Sequence, residues 1–418
     1  MNHLNARIRQ NRSICVPFID CTHYCDIVES PNRFRTSIDS SVEQWPELFP
    51  PDIVLGYLMK DIRLSKKLLI PVRRIEILGI SYTIRPSFVM PYMTGFVDDV
   101  GKGLFLRKFD VPFWALPHVC GKNPMYWFRM EQSLGRNSIV GTTVKKPESL
   151  PKHVAADEKH SRILGNKVYV ATTAGNGCIL GASIAEHADE TDLTKAYGTF
   201  KEEAQCVHPE YKPETVNTDG WKATQNAWKT IFSSIIIINC FLHIFIKIRD
   251  RAKNKYKNQF LQAANKLWDC YQSQTKTSFA QRVRRLHEWA IKETGIPEVI
   301  IGPISKLRKN LSAFSTAYDF PGAHRTSNMI DRLMQRMHRH LFSTQYFHGS
   351  LSAAELSIRG WVLINNFAPS NPWTIKKHDG LQCPAERINE FRYHDNWLQN
   401  LLISASLQGA QRLPPNPL

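Results

Sequence analysis

The stretch that most constrains this chain is Glu214-Thr215-Val216-Asn217-Thr218-Asp219-Gly220-Trp221. A short β-branched run ends on an acid and a glycine, and a helix follows with Trp221, Ala227, Trp228 and Ile231 on one side. In open α/β sheets the C-terminal tip of a strand faces the ligand crevice. An acid at such a buried tip is poorly solvated unless it holds something positive. Asp219 therefore reads as one ligand of a catalytic metal pair. Its alternative role is a helix cap, because Asp is common before helices.

The flanking order narrows the fold. Residues 145–151 carry two prolines and read as a linker. Residues 153–160 form a strand containing Asp157, and residues 167–173 and 178–185 form two more. Gly175-Asn176-Gly177 is a hairpin turn between the last two. A helix over 191–206, a strand over 215–218 and a strand over 235–240 complete the series strand-strand-strand-helix-strand-helix-strand. The apolar run 231–248 invites a membrane reading, but Ser233, Ser234, Asn239, His243 and Lys247 interrupt it. Its four consecutive isoleucines favour a strand. It is expected to be a buried strand running into a helix, so no membrane partner is expected.

From 241 to about 310 the chain reads as helices rich in Lys and Arg, a pattern suited to phosphate-backbone contact. Ile330, Leu333, Met334, Met337 and Leu341 then recur at helical spacing, with Arg332, Arg336 and Arg339 on the other side and Asp331 near the boundary. An amphipathic helix is expected over 351–366, then a less structured tail over 371–418 with one helix over 397–406.

Before the linker, residues 1–45 look loosely structured; Cys15, Cys21, His23 and Cys25 cluster there without a recognisable zinc spacing. Residues 46–145 form a second unit, with a helix over 52–60. The stretch 114–137 reads as helix, turn and second helix, a pattern that fits a helix-turn-helix and would turn Tyr126, Arg129 and Gln132 towards a DNA groove.

At 418 residues the chain has room for two or three domains. Its 54 Lys and Arg against 37 acids give a formal charge of +17, which points to a polyanionic partner. Nine scattered cysteines suit a reducing cytoplasm, and the polar start, residues 1–10, does not read as a signal peptide.

Three acids thus stand on the element types that a two-ion oxygen cage requires: Asp157 in the first strand, Asp219 after the fourth, Asp331 on a late helix. The segments His153-Val-Ala-Ala-Asp157-Glu-Lys-His160, Asn217-Thr-Asp219-Gly-Trp221 and Thr326-Ser-Asn-Met-Ile-Asp331-Arg332 resemble the three acidic motifs of DDE/D transposases of prokaryotic insertion sequences. The resemblance covers about residues 137–369. It implies an α/β fold: a ribonuclease H-like mixed sheet with flanking helices, a helical insertion at about 241–310 inside a core of 146–370, and an N-terminal helical DNA-binding region. It implies that Asp157, Asp219 and Asp331 bind two Mg²⁺ or Mn²⁺ ions. The activity implied is nicking of double-stranded DNA at transposon ends, then strand transfer by the freed 3′-hydroxyl, by a nucleoid-associated dimer or higher oligomer. The alternative is an inactive or domesticated relative that binds DNA without cutting it.

Further residues follow from the same resemblance. His160 and Arg332 would be helpers beside the metals or phosphates, and Trp221 would stack on a base or sit in the core. Cys240-Phe-Leu-His243 resembles the Cys-x-x-His pair of Mutator-type transposases, with structural packing as its other role. Many members carry Glu as the third acid; Asp331 is one methylene shorter, so its helix must lie closer. Glu293 and Glu355 are the fallback candidates.

Overall fold

The computed structural model describes residues 12–409; the polar start at 1–10 and the last nine residues lie outside them. The chain opens with β1 (Ser13–Val16), α1 (Cys21–Val28), α2 (Pro31–Gln44), β2 (Leu58–Leu64), β3 (Pro71–Ile77) and β4 (Ile80–Pro86). These strands form a sheet in the order β1-β4-β3-β2, with β1 parallel to β4 and the other pairs antiparallel.

The expectation of a loose segment over 1–45 is corrected from Ser13 onward. Asp20 and Ser30 cap α1 and α2, and Ile14, Tyr24, Phe34 and Ile38 are wholly buried. The helix expected at 52–60 is instead a single 3-10 turn, Pro51–Leu55, followed by β2. That strand carries Lys60, Asp61 and Arg63 and lies at the sheet edge, where charge is usual and no apolar alternation is needed. Arg74 of β3 grips the Asp61 carboxylate with two donors.

Next come α3 (Val97–Arg107), α4 (Leu116–Cys120), α5 (Pro124–Leu134) and α6 (Ile139–Thr143). The helix, turn and second helix expected over 114–137 are present as α4 and α5, with α5 running up to Gly135. The Gln132 amide donates to the Ala353 carbonyl, 3.1 Å away, and both helices pack on the core of the four-stranded sheet. The N-terminal region is therefore a sheet with helices rather than a helical unit. The 145–151 segment is not an open linker either: Lys145 is buried, and its ammonium donates to the Gly141 and Ser404 carbonyls.

The second sheet matches the expected strand series closely. It is built from β5 (His153–Ile163), β6 (Asn166–Gly175), β7 (Cys178–Ala185), β8 (Thr215–Thr218) and β9 (Ile236–Asn239), in the order β7-β6-β5-β8-β9. β5, β6 and β7 are antiparallel neighbours, whereas β8 and β9 run parallel to β5. The intervening helices are α7 (Glu190–Val207) and α8 (Lys222–Ile231).

Strand alternation sends Val154, Ala156, Tyr169 and Ala171 to one face, against Leu193, Tyr197, Phe200 and Trp228 of α7 and α8. It sends Ala155, Val168, Val170 and Ala174 to the other.

The helical insertion is α9 (Leu242–Ala252), α10 (Lys257–Tyr271), α11 (Lys276–Lys292), α12 (Glu298–Lys309) and α13 (Leu311–Ser315). It packs around its own core, including Ile248, Leu267, Val283 and Ile300. The 231–248 run divides into the end of α8, strand β9 and the start of α9. Among the described residues no helix is long and apolar enough to cross a membrane.

α14 (Asn328–Ser343) and α15 (Leu351–Phe367) cover the second face of the large sheet. The expected buried residues of α14, from Ile330 to Leu341, are all buried. α15 is buried nearly all round over its second half instead of being amphipathic, because it lies between the two sheet units. It crosses α5 at two glycines: a methyl group on Gly135 would sit 1.9 Å from the Leu356 carbonyl oxygen, and one on Gly360 2.1 Å from that of Glu131. Two buried ion pairs flank this junction, Arg107–Glu131 and Arg359–Glu203.

The chain ends in α16 (Pro372–Lys377), α17 (Pro384–Asn389) and α18 (Trp397–Ser404). The expected tail over 371–418 is corrected for its described part: Leu398, Leu401, Leu402 and Ile403 share the core of the N-terminal unit.

Candidate metal centre

Asp157 lies in the middle of β5. Since Ala155 pairs with Asn217 on β8, Asp157 and Asp219 continue that register at the same level, one on the strand and one just past its partner's end. Alternation points Asp157 to the face covered by α14, which carries Asp331 in its first turn. The three carboxylates act on one another: burial, then Glu158, Asp219 and Asp331, push the Asp157 carboxyl up to about 8. Lys159, two residues on along the same face, feels the Asp157 charge, but burial lowers its own affinity for a proton. Asp157 thus lies within electrostatic reach of Asp219 and Asp331.

Each acid is held by its own element. One Asp157 oxygen accepts from the Glu158 N–H at 2.9 Å. One Asp219 oxygen accepts from the Trp221 N–H at 2.7 Å, while Trp221 itself occupies the helix N-cap. Asp219 therefore shapes the strand-to-helix turn, and its other oxygen has no hydrogen-bond partner among the described residues. Gly220 sits at φ +91°, a conformation L side chains rarely adopt, which makes that turn possible.

Asp331 is placed through a relay that sequence reasoning missed. The Ser327 hydroxyl donates to its carboxylate at 2.7 Å. The Cys240 sulfur, at the end of β9, meets the same hydroxyl at 3.0 Å and accepts from the Ser327 N–H at 3.1 Å. Asn217 of β8 donates to the His324 carbonyl at 2.8 Å, and the Phe241 N–H to that of Arg325 at 3.1 Å. These bonds fasten the return from the insertion to the strand tips and hold α14 close enough for an Asp.

Glu158 is the other residue sequence reasoning missed. It faces α7 and α8, where the Tyr197 and Thr224 hydroxyls donate to one of its oxygens at 2.7 and 2.6 Å. Burial raises its carboxyl to about 7, and those two hydrogen bonds oppose the rise. Strand alternation from Asp157 was the signal that would have placed it.

Other candidates fall elsewhere. Glu355 accepts from the Ile184 N–H and Glu293 ends α11, so neither fallback joins the site. His160 lies edge-on to Tyr169, and Trp221 is partly buried near that ring. Cys240 packs as described, without a zinc-like partner set.

Arg332 and Arg336 lie on the exposed side of α14. Burial and the neighbouring charges of Arg339 and Arg387 pull the Arg336 guanidinium down. On the insertion, Lys253, Lys255, Lys306, Arg308 and Lys309 are exposed and make no ion pair among the described residues.

No family model matches the chain, and no curated protein matches it either.

The donor set suits a hard divalent cation, since it offers only carboxylate oxygens. Among the described residues, the one group of at least three candidate ligands with atoms all within 4.8 Å is His187, Asp189 and Asp192. The acids at the strand tips therefore stand wider apart than that. In the compact group, His187 is already bonded to Asp192 through its backbone and ring nitrogens.

Two measurements follow from this geometry. Ser327→Ala frees the Asp331 carboxylate and is expected to raise the Mn²⁺ concentration for half-maximal binding on the order of tenfold; titration calorimetry reads it, and an unchanged affinity removes the relay.

The second concerns pH. The Asp157 carboxyl is raised from an ordinary 3.8 to about 8, so the fold favours its protonated form. That contribution to stability is complete below about pH 4 and is lost as the pH climbs through about 8. Asp157→Asn is therefore expected to melt higher than wild type in EDTA at pH 8, on the order of 2–4 °C, with the gap shrinking towards pH 5. A gap that does not grow with pH contradicts a strained buried carboxylate.

Proposed function

We propose that the chain is a DDE/D-type DNA transposase of the insertion-sequence kind, with a ribonuclease H-like catalytic core. The observation that carries this reading is the β7-β6-β5-β8-β9 sheet with Asp157 on its central strand, Asp219 at the adjoining strand tip and Asp331 on the helix across them. This layout, with Asp157 in electrostatic reach of Asp219 and Asp331, supports a carboxylate-held metal site.

Asp157, Asp219 and Asp331 would hold two Mg²⁺ or Mn²⁺ ions. When bound, these would activate a water or a 3′-hydroxyl and stabilise the leaving oxygen of a phosphodiester. The protein's own part is positional. Ser327 and Cys240 orient Asp331, the Gly220 turn orients Asp219, and the β5 backbone fixes Asp157.

The substrate would be double-stranded DNA, its phosphates met by Arg332 next to Asp331, by Arg336 further along α14 and by the unpaired cations of the insertion. Such contacts give affinity without sequence choice. A homodimer or larger assembly would pair two ends, in a nucleoid-associated cytoplasmic setting.

Strand cleavage of end-containing DNA, with and without Mg²⁺ or Mn²⁺, tests the proposal. Metal-dependent nicking by wild type supports it. Tight DNA binding with no cleavage under either metal leaves the alternative of an inactive, DNA-binding relative.

A further inference from the structure

A second site lies far along the chain from the carboxylates, between α5, the β2–β3 hairpin and the turn at Pro91–Thr94. It is a groove of about 620 Å³, a size that takes a small ligand or a nucleotide. Three cations line it, Lys67, Arg129 and Arg136, all exposed. No carboxylate lines it; Asp99 acts on the Tyr126 hydroxyl from outside the lining. Lys67 and Arg129 make no ion pair or hydrogen bond among the described residues.

The rim is built at a cost. Tyr92 and Met93 are consecutive residues with φ of +60° and +52°, a region that side chains avoid. Such outliers persist where surrounding structure enforces them, and they cluster at functional sites. Here the Met93 N–H donates to the Met90 carbonyl and the Thr94 hydroxyl to that of Pro91. The result presents the Tyr92 ring outward, 58% exposed. Arg136 already lies over that ring, 5.2 Å from its centroid, and donates to its hydroxyl at 3.1 Å. An exposed aromatic ring and a planar cation thus stand together on a groove that Lys67 and Arg129 also line.

Shape decides which polyanion fits. A duplex is read by a convex element entering its major groove. α5 cannot serve, because Trp127, Met130 and Leu134 bury one face and the other is the wall of a concavity. A flexible strand can follow a concave cationic path and stack its bases on rings and guanidinium planes.

We propose that this groove binds an unpaired stretch of nucleic acid, with phosphates on Lys67, Arg129 and Arg136 and a base stacked at Tyr92 and Arg136. The site uses none of the acids at the strand tips and stands apart from the catalytic reading.

The test is fluorescence anisotropy on the full chain in EDTA, with labelled oligothymidylate, oligouridylate and a hairpin duplex of equal length. Both single strands and the duplex are expected to bind, the duplex through the cations of the insertion, so the groove is read from its own variants. Tyr92→Ala is expected to weaken single-strand binding about tenfold, while Tyr92→Phe keeps it. Arg129→Glu weakens it and flattens its salt dependence, whereas Lys195→Glu, exposed on α7, changes it by no more than about twofold. A preference for oligothymidylate or oligouridylate identifies the sugar. Unaltered single-strand binding by Tyr92→Ala, an equal loss of duplex binding in that variant, or equal competition by a glutamate-rich peptide overturns the proposal. Matched melting temperatures of Tyr92→Ala and Tyr92→Phe separate a lost contact from a lost fold.

Discussion

Asp219→Asn is expected to lose metal-dependent DNA cleavage on the order of a thousandfold while keeping the wild-type melting temperature within a few degrees. The substitution separates two roles that coincide in one side chain. An asparagine accepts a backbone hydrogen bond at a cap as well as an aspartate does, so the 2.7 Å bond from the Trp221 N–H survives. What disappears is the negative charge facing Asp157. Loss of a charged ligand from a metal site removes several kcal/mol of transition-state stabilisation, and about 4 kcal/mol corresponds to a thousandfold in rate. Asp219→Ala removes both roles and should be equally inactive but less stable. Activity of Asp219→Asn near wild type would reduce Asp219 to a turn residue and take the metal proposal with it.

The largest effect on stability is expected at Glu131. Its carboxylate accepts from the Arg107 Nε at 2.8 Å, and both side chains are fully buried. Arg107 also reaches the His340 ring at 3.2 Å, and burial together with the Arg107 charge drives that histidine well down, so it is neutral. Glu131→Ala leaves a buried guanidinium without its counter-charge. Breaking a buried pair from one side costs about 3–5 kcal/mol, a drop of about 3–6 °C in melting temperature for a chain this long. Replacing both partners, Arg107→Met with Glu131→Leu, removes the stranded charge and should recover most of the loss. A double variant as unstable as the single one would show that packing, not charge, sets the cost.

That pair also shows why part of the architecture left no mark on the sequence. Arg107 is on α3, Glu131 on α5 and His340 on α14, so one buried cluster joins positions more than two hundred residues apart. No local pattern announces such a partnership. Likewise, the helices near the C-terminus read as a tail because their burial depends on β1 and α3 at the other end of the chain. β2 was misread because an edge strand needs no apolar alternation. The first segment was misread because its caps and buried aromatics are few and short.

The half that carries the three acids was far more legible. β5 to β9 announce themselves through β-branched runs and a Gly-Asn-Gly turn, and α14 through a helical apolar stripe with acid and arginines beside it. These signals are local: period two, period 3.6 and turn chemistry act between residues that are neighbours in the chain. They fixed which elements form and on which of them each of the three acids rides. Only the tertiary structure decided that Asp157 comes within electrostatic reach of Asp219 and Asp331, that Cys240 and Ser327 aim the last of them, and that Glu158 is buried behind. Those facts depend on strand order and on where a helix comes to rest after an insertion of some seventy residues, and the contacts that settle them join segments whose separation erases any sequence period.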